Sequence, residues 1–172
     1  MWQYTGKQRP PFAEEPGPGQ ESVWDYPRPP ALVPCEKEVL VQAQGSELAR
    51  STHCHRVLET ASPPTYYIPA ADINHAALVA IQGSSFCEWK GAAAYWALAL
   101  QQNAGGEAIG WSYPDPSPSF AALRGAYSFY PGRVECYVDG ERVKPQPGHF
   151  YGGWITQDIV GPVKGESGTG HW

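Results

Sequence analysis

Apolar and polar positions alternate with a period of two along much of the middle of the chain, and that period predicts strands. From Glu38 onward Val39, Val41 and Ala43 fall on one face, with Leu40 and Gln42 on the other, before Gly45-Ser46 turns the chain. Arg56-Val57-Leu58-Glu59-Thr60 predicts a second strand, stopped by Ser62-Pro63-Pro64, and Thr65-Tyr66-Tyr67-Ile68 resumes extended backbone until Pro69. Paired prolines force non-helical backbone there. Residues 72–80 fit one short helical turn. Residues 89–100 fit a helix by their alanines and a strand by Tyr95 and Trp96 within a two-fold alternation. The strand is preferred because Asn103-Ala104-Gly105-Gly106 is turn chemistry and residues 107–113 read as a returning strand. After the breaks at Pro114, Pro116 and Pro118, Ser119 caps a short helix through Leu123. Strands at 127–130 and 134–138 flank Pro131-Gly132, and Asp139-Gly140 supplies the turn of a hairpin into Glu141-Arg142-Val143.

Composition points the same way. Eighteen prolines and nineteen glycines among 172 residues argue for many short elements joined by turns, and seven tryptophans with ten tyrosines suit pleated, half-buried surfaces. The expected fold is mainly β and a single domain, residues 35–144, between a Pro/Gly-rich arm at 1–34 and a second irregular arm at 145–172. The first arm shows no amphipathic period, yet Trp24-Asp25-Tyr26-Pro27 is too aromatic to leave in water and is expected to pack on the domain as a strap. A formal net charge of −5 and the lack of a basic stripe exclude a nucleic-acid partner from the expectations. The longest apolar run, 92–100, is about half of the roughly 20 residues a membrane helix requires, and the opening residues lack the apolar stretch of a secretory signal. The chain therefore reads as cytoplasmic, with no membrane partner. Cys35, Cys54, Cys87 and Cys136 are scattered with no C-x-x-C pair, so free thiols are expected, and neither a metal nor another cofactor.

Five motifs occur in order: Arg56-Val57-Leu58-Glu59-Thr60; Pro63-Pro64 with Tyr66-Tyr67-Ile68-Pro69; Cys87-x-x-Lys90-Gly91 with Tyr95-Trp96; Trp111-Ser112-Tyr113-x-x-Pro116; and Phe129-Tyr130-Pro131. Over about residues 36–144 the chain resembles the bacterial domain of unknown function 427. The segments 24–30 and 145–154 resemble a longer subgroup of that family. The resemblance implies a compact, strongly twisted antiparallel β fold with one or two short helices, similar in outline to the methionine-R-sulfoxide reductase B group. It implies no reaction and carries over no catalytic residue. The zinc-holding C-x-x-C pairs common in that reductase group are missing from this sequence.

The candidate chemistry gathers around Ser84-Ser85-Phe86-Cys87-Glu88-Trp89-Lys90-Gly91, which joins a thiol, an acid and a base to the longest apolar run. An ammonium near a thiol raises its thiolate fraction, so Cys87 is a candidate nucleophile, set against a buried cysteine acting as a small hydrophobe. Lys90 is a candidate anion anchor beside Trp89 and Gly91, set against an ordinary surface charge. Glu59 is a candidate acid or base; Arg56, three residues away, lies on the other face of the strand, so Lys90 is the candidate cation for it. His53 and His55 offer two metal ligands at most, and water-facing loop histidines explain them better.

The leading reading is a small-molecule-binding β domain whose pocket is lined by Tyr66, Trp111, Tyr113 and Tyr130, with Arg56, Glu59 and Lys90 as polar anchors. A second is an enzyme using Glu59 or Cys87, with Lys90, in the same pocket. A third is a protein-interaction module using the aromatic arms. The reading leaves a homodimer open.

Overall fold

The computed structural model describes residues 2–100 and 106–172. Its strands are β1 (Glu21–Ser22), β2 (Ala31–Cys35), β3 (Val39–Ala43), β4 (Ser46–Ser51), β5 (Cys54–Leu58), β6 (Thr65–Pro69), β7 (Leu78–Cys87) and β8 (Gly91–Leu98). They continue with β9 (Gly110–Ser112), β10 (Ala126–Phe129), β11 (Glu135–Val138), β12 (Glu141–Arg142), β13 (Lys144–Pro145), β14 (Trp154–Ile155) and β15 (Ile159–Val160). The larger sheet has the order β2-β5-β6-β10-β9-β8-β7, and a second has the order β12-β11-β3-β4. Every pairing within these two sheets is antiparallel. The fold is mainly β, as expected.

The main core lies between the sheets and follows from alternation. Val39, Val41 and Ala43 are buried on β3, while Leu40 and Gln42 are half-buried. They meet Cys136 and Val138 from β11 and Tyr66, Ile68 and Phe129 from the larger sheet. The hairpin between β11 and β12 forms at Asp139-Gly140, both at positive φ (47° and 80°), as the type I′ turn requires. The β3–β4 hairpin turns one residue earlier than expected, at Gln44-Gly45, and β4 already begins at Ser46.

Three elements differ from the expectations. Residues 72–80 hold the expected short turn as a 3-10 turn at His75–Ala77, after another at Ala70–Asp72, but from Leu78 they enter β7, a ten-residue strand that the sequence did not suggest. It lies at the sheet edge, where much of it is exposed, so its sequence lacks a clear buried face. The 3-10 helix Pro118–Leu123 is flanked by Ser117 rather than Ser119, because Pro118 suits its first position. The strand β2 begins at Ala31, within the stretch read as an arm, and pairs with β5 through five residues. The turn expected at residues 103–106 falls largely outside the described residues; its strand partners β8 and β9 pair as Tyr95 opposite Trp111.

Both arms fold back. Trp24 is fully buried among Val23, Tyr26, Ala61 and Ile159, and its indole donates to the Pro162 carbonyl at 3.1 Å. The parallel ladder of β1 with β15 ties the arms to each other. Trp154 from the second arm is also fully buried, stacked on Tyr66 at 4.9 Å and donating to the Phe129 carbonyl at 2.9 Å. No helix among the described residues is long and apolar enough to cross a membrane.

Candidate functional site

The face of the larger sheet turned away from the main core carries a cavity of about 510 Å³. The period of two decides who lines it. On β6 Tyr66 points into the core and Tyr67 into the cavity; on β8 Ala93 and Tyr95 face it, and Trp96 is packed against the core. Trp111 follows from β9 and Tyr113 from just beyond it. Tyr95 and Trp111 are direct cross-strand partners, and Tyr130 lies 4.7 Å from Trp111, ring centre to ring centre. The aromatic floor is thus a cross-strand ladder rather than a chance cluster.

The floor is stiffened by its own polar atoms. The Trp111 indole donates to the Tyr67 hydroxyl at 3.1 Å, and the Tyr95 and Ser85 hydroxyls share a hydrogen bond at 2.6 Å. Burial, with Tyr67 and Cys87 nearby, pushes the Tyr113 hydroxyl far above its ordinary value; burial pushes Tyr130 up to about 12. These hydroxyls stay protonated across the physiological range.

One wall comes from the second arm. Gly152 passes so close to Trp111 that a Cβ there would overlap the indole ring, and a Cβ on Gly153 would overlap Gln146 and press on Pro63. Buried Gln146 holds this wall together: it accepts from the Gly153 amide at 3.0 Å and donates to the Lys164 carbonyl at 2.6 Å. Lys164 extends its ammonium to 4.9 Å from the Trp2 ring centre and 5.7 Å from that of Tyr151. Burial, and then the Arg28 guanidinium, pull Lys164 below its ordinary value, with Glu59 opposing.

Lys90 sits in the turn between β7 and β8. Ser117 pins that turn twice, donating its amide to the Lys90 carbonyl at 3.0 Å and its hydroxyl to the Trp89 carbonyl. Gly91 follows at φ +110°, where a Cβ would also stand 3.3 Å from the Asp115 carbonyl oxygen. The half-buried Lys90 ammonium lies 5.7 Å from the Tyr113 ring centre. Desolvation pulls it down but is outweighed by Tyr67, Cys87 and Glu59, so the charged form is held.

The structure brings Glu59, Cys87, Lys90, Trp111, Tyr113 and Tyr130 to one cavity. It sets Arg56 and Tyr66 apart. These two are cross-strand partners on the opposite face and line a separate polar cleft, where Arg56 grips Glu21 at 2.9 and 3.2 Å. The cation of Glu59 is not Lys90 but Arg28 from the first arm, whose Nε donates to Glu59 at 3.1 Å and whose side chain is only 2 % exposed. Arg28 also donates to the main-chain oxygens of Tyr4 and Trp172 and lies 4.0 Å from the Trp2 ring centre. All four cysteines are unbridged, although Cys35 and Cys54 are cross-strand partners. Among the described residues no three His, Cys, Asp or Glu side chains gather as metal ligands, so His53 and His55 gain no third partner.

The family model described as Domain of unknown function (DUF427) matches residues 31–140, nearly two thirds of the chain. The chain belongs to this family. A search of curated proteins returned no match. The DUF427 region supplies the aromatic floor and Lys90, whereas Trp2, Arg28, Gln146, Gly152 and Lys164 come from the arms beyond it. Sequence reasoning did not assign Tyr67 or Tyr95 to the pocket: alternation separates Tyr67 from Tyr66 without saying which of them faces the cavity. It also missed the arm residues, for which neither period nor motif gives a signal.

Proposed function

We propose that this DUF427 protein binds a small organic molecule in the aromatic cavity. The observation that carries the reading is the cavity itself: about 510 Å³, floored by Tyr67, Tyr95, Trp111 and Tyr113, more apolar than polar in its lining, and with a wall fixed by Gly152 and Gln146. Sites for small molecules are concave, mostly apolar, and of roughly 300–1,000 Å³. The arms serve this site and the fold, which argues against their use as free interaction segments: Trp24 and Trp154 are fully buried. Against catalysis by Glu59 stands its commitment to Arg28. Cys87 beside Lys90 is the feature that keeps an enzyme in view.

The test is binding of a panel of aromatic compounds, followed by tryptophan fluorescence, in the wild type and in Gly152→Val. The added side chain collides with Trp111 and displaces the wall. Saturable binding by the wild type, weakened about tenfold or more in the variant, supports the reading. Equal binding by both proteins places the ligand elsewhere and overturns it.

A further inference from the structure

We propose that the ligand of this cavity is a planar aromatic monoanion, an aryl carboxylate, its charge paired with the Lys90 ammonium and its ring lying among Tyr67, Trp111 and Tyr113. The proposal rests on the small-molecule reading above and deepens it by naming the ligand class.

Four charged side chains line the cavity, Glu59, Glu88, Lys90 and Lys164, and Glu88 is exposed in the same turn as Lys90. Glu59 is neutralised by Arg28, and Arg28 is used up: its three nitrogens donate to Glu59, Tyr4 and Trp172. Lys164 is held against the faces of Trp2 and Tyr151, with the Trp172 oxygen at 3.5 Å. Lys90 differs. Among the described residues it makes no ion pair; the Cys87 thiol is its polar neighbour, and the Tyr113 ring centre lies at 5.7 Å. A half-buried ammonium with only a thiol beside it is poorly compensated, and a ligand anion would supply the missing partner. The turn carrying it is held by Ser117 and by Gly91, so the ammonium is aimed at the floor before any ligand arrives.

The chemistry of the donors selects the anion. One ammonium matches one negative charge. A phosphate monoester near pH 7 carries more charge and favours several converging donors, such as an arginine fork or a row of free amides. Here the guanidinium is occupied, the Gly153 amide is given to Gln146, and the Trp111 indole is given to Tyr67. The floor selects the body. Its hydroxyls at Tyr67 and Tyr95 are tied to Trp111 and Ser85, which leaves ring faces as the surface on offer, and rings stack on rings.

Affinities of the full chain for 2-naphthoate, its neutral isostere 2-naphthamide, 2-naphthyl phosphate and decanoate, each measured by calorimetry at low salt, test this. The expected result is naphthoate binding about 10- to 100-fold tighter than naphthamide, the scale of one charge-assisted hydrogen bond. That preference should vanish in Lys90→Met and survive in Lys90→Arg. Equal affinity for naphthoate and naphthamide overturns the anion while leaving small-molecule binding intact. Tighter binding of naphthyl phosphate or decanoate than of naphthoate overturns the ligand class. A naphthoate preference that persists in Lys90→Met overturns the role of Lys90. No binding of any probe at millimolar concentration overturns both the proposal and the reading beneath it. Should Lys90→Met fold poorly, the ratio of naphthoate to naphthamide in the wild type still decides.

Discussion

Tyr66 and Tyr67 are neighbours in the chain and are separated by the thickness of a sheet. Tyr66 is stacked on Trp154 in the core between the two sheets, whereas Tyr67 forms part of the cavity floor, its hydroxyl accepting from Trp111. The same residue type on the same strand therefore serves packing on one face and an open site on the other. What differs is the cover: the first face meets another sheet, and the second is roofed only at its rim by the arms. A face covered by a sheet is a core; a face covered by loops leaves space for a ligand.

The largest expected effect is on the covered face. Trp154→Ala removes a fully buried indole that stacks on Tyr66 and bonds the Phe129 carbonyl, and the cavity left behind should cost about 3–5 kcal/mol in urea unfolding. On the open face Tyr67→Phe keeps the ring and removes only the acceptor of the Trp111 indole, so the expected loss is about 1 kcal/mol. Equal losses for the two variants in the same unfolding series would erase the distinction between the faces.

The contrast also explains what was legible in the sequence. Alternation in residues 39–43 and the Asp139-Gly140 turn are local signals, and both hairpins are present, the first with its turn shifted by one residue. Lys90, Trp111, Tyr113 and Tyr130 were identifiable because motif and aromatic character coincide at positions that face the cavity. Arg56 and Tyr66 lie on the other face, away from the cavity: in a strand, neighbours face opposite ways, and the sequence alone does not say which face the second sheet covers. The edge strand β7 was illegible because an edge beside solvent needs no buried alternation. The pairing of Glu59 with Arg28 spans 31 residues, and no periodic rule relates an irregular arm to the end of a strand.

The smallest effect concerns the polar cleft behind Tyr66, where Arg56 finds its carboxylate. Glu21 accepts from Arg56 through both oxygens and from the Tyr26 hydroxyl at 2.7 Å. The bond from Arg56, and then that from Tyr26, hold the Glu21 carboxyl below its ordinary value against the opposing effect of burial. A carboxylate held down in the folded state adds stability above its unfolded value, about 4.3. That stability is lost as pH falls through the lower folded value. Glu21 is 40 % exposed, so solvent screens the pair and its contribution should stay under about 1 kcal/mol. Glu21→Gln should therefore lower the melting temperature at pH 7 by no more than about 4 °C. Wild type and variant should converge as the pH is taken below about 4, the range in which the wild-type carboxyl also becomes neutral. A difference that widens on acidification would mean that Arg56 is held by something other than the charge on Glu21. It would also mean that this cleft does not owe its order to the ion pair, leaving Tyr26 and the β1–β15 ladder to hold the first arm in place.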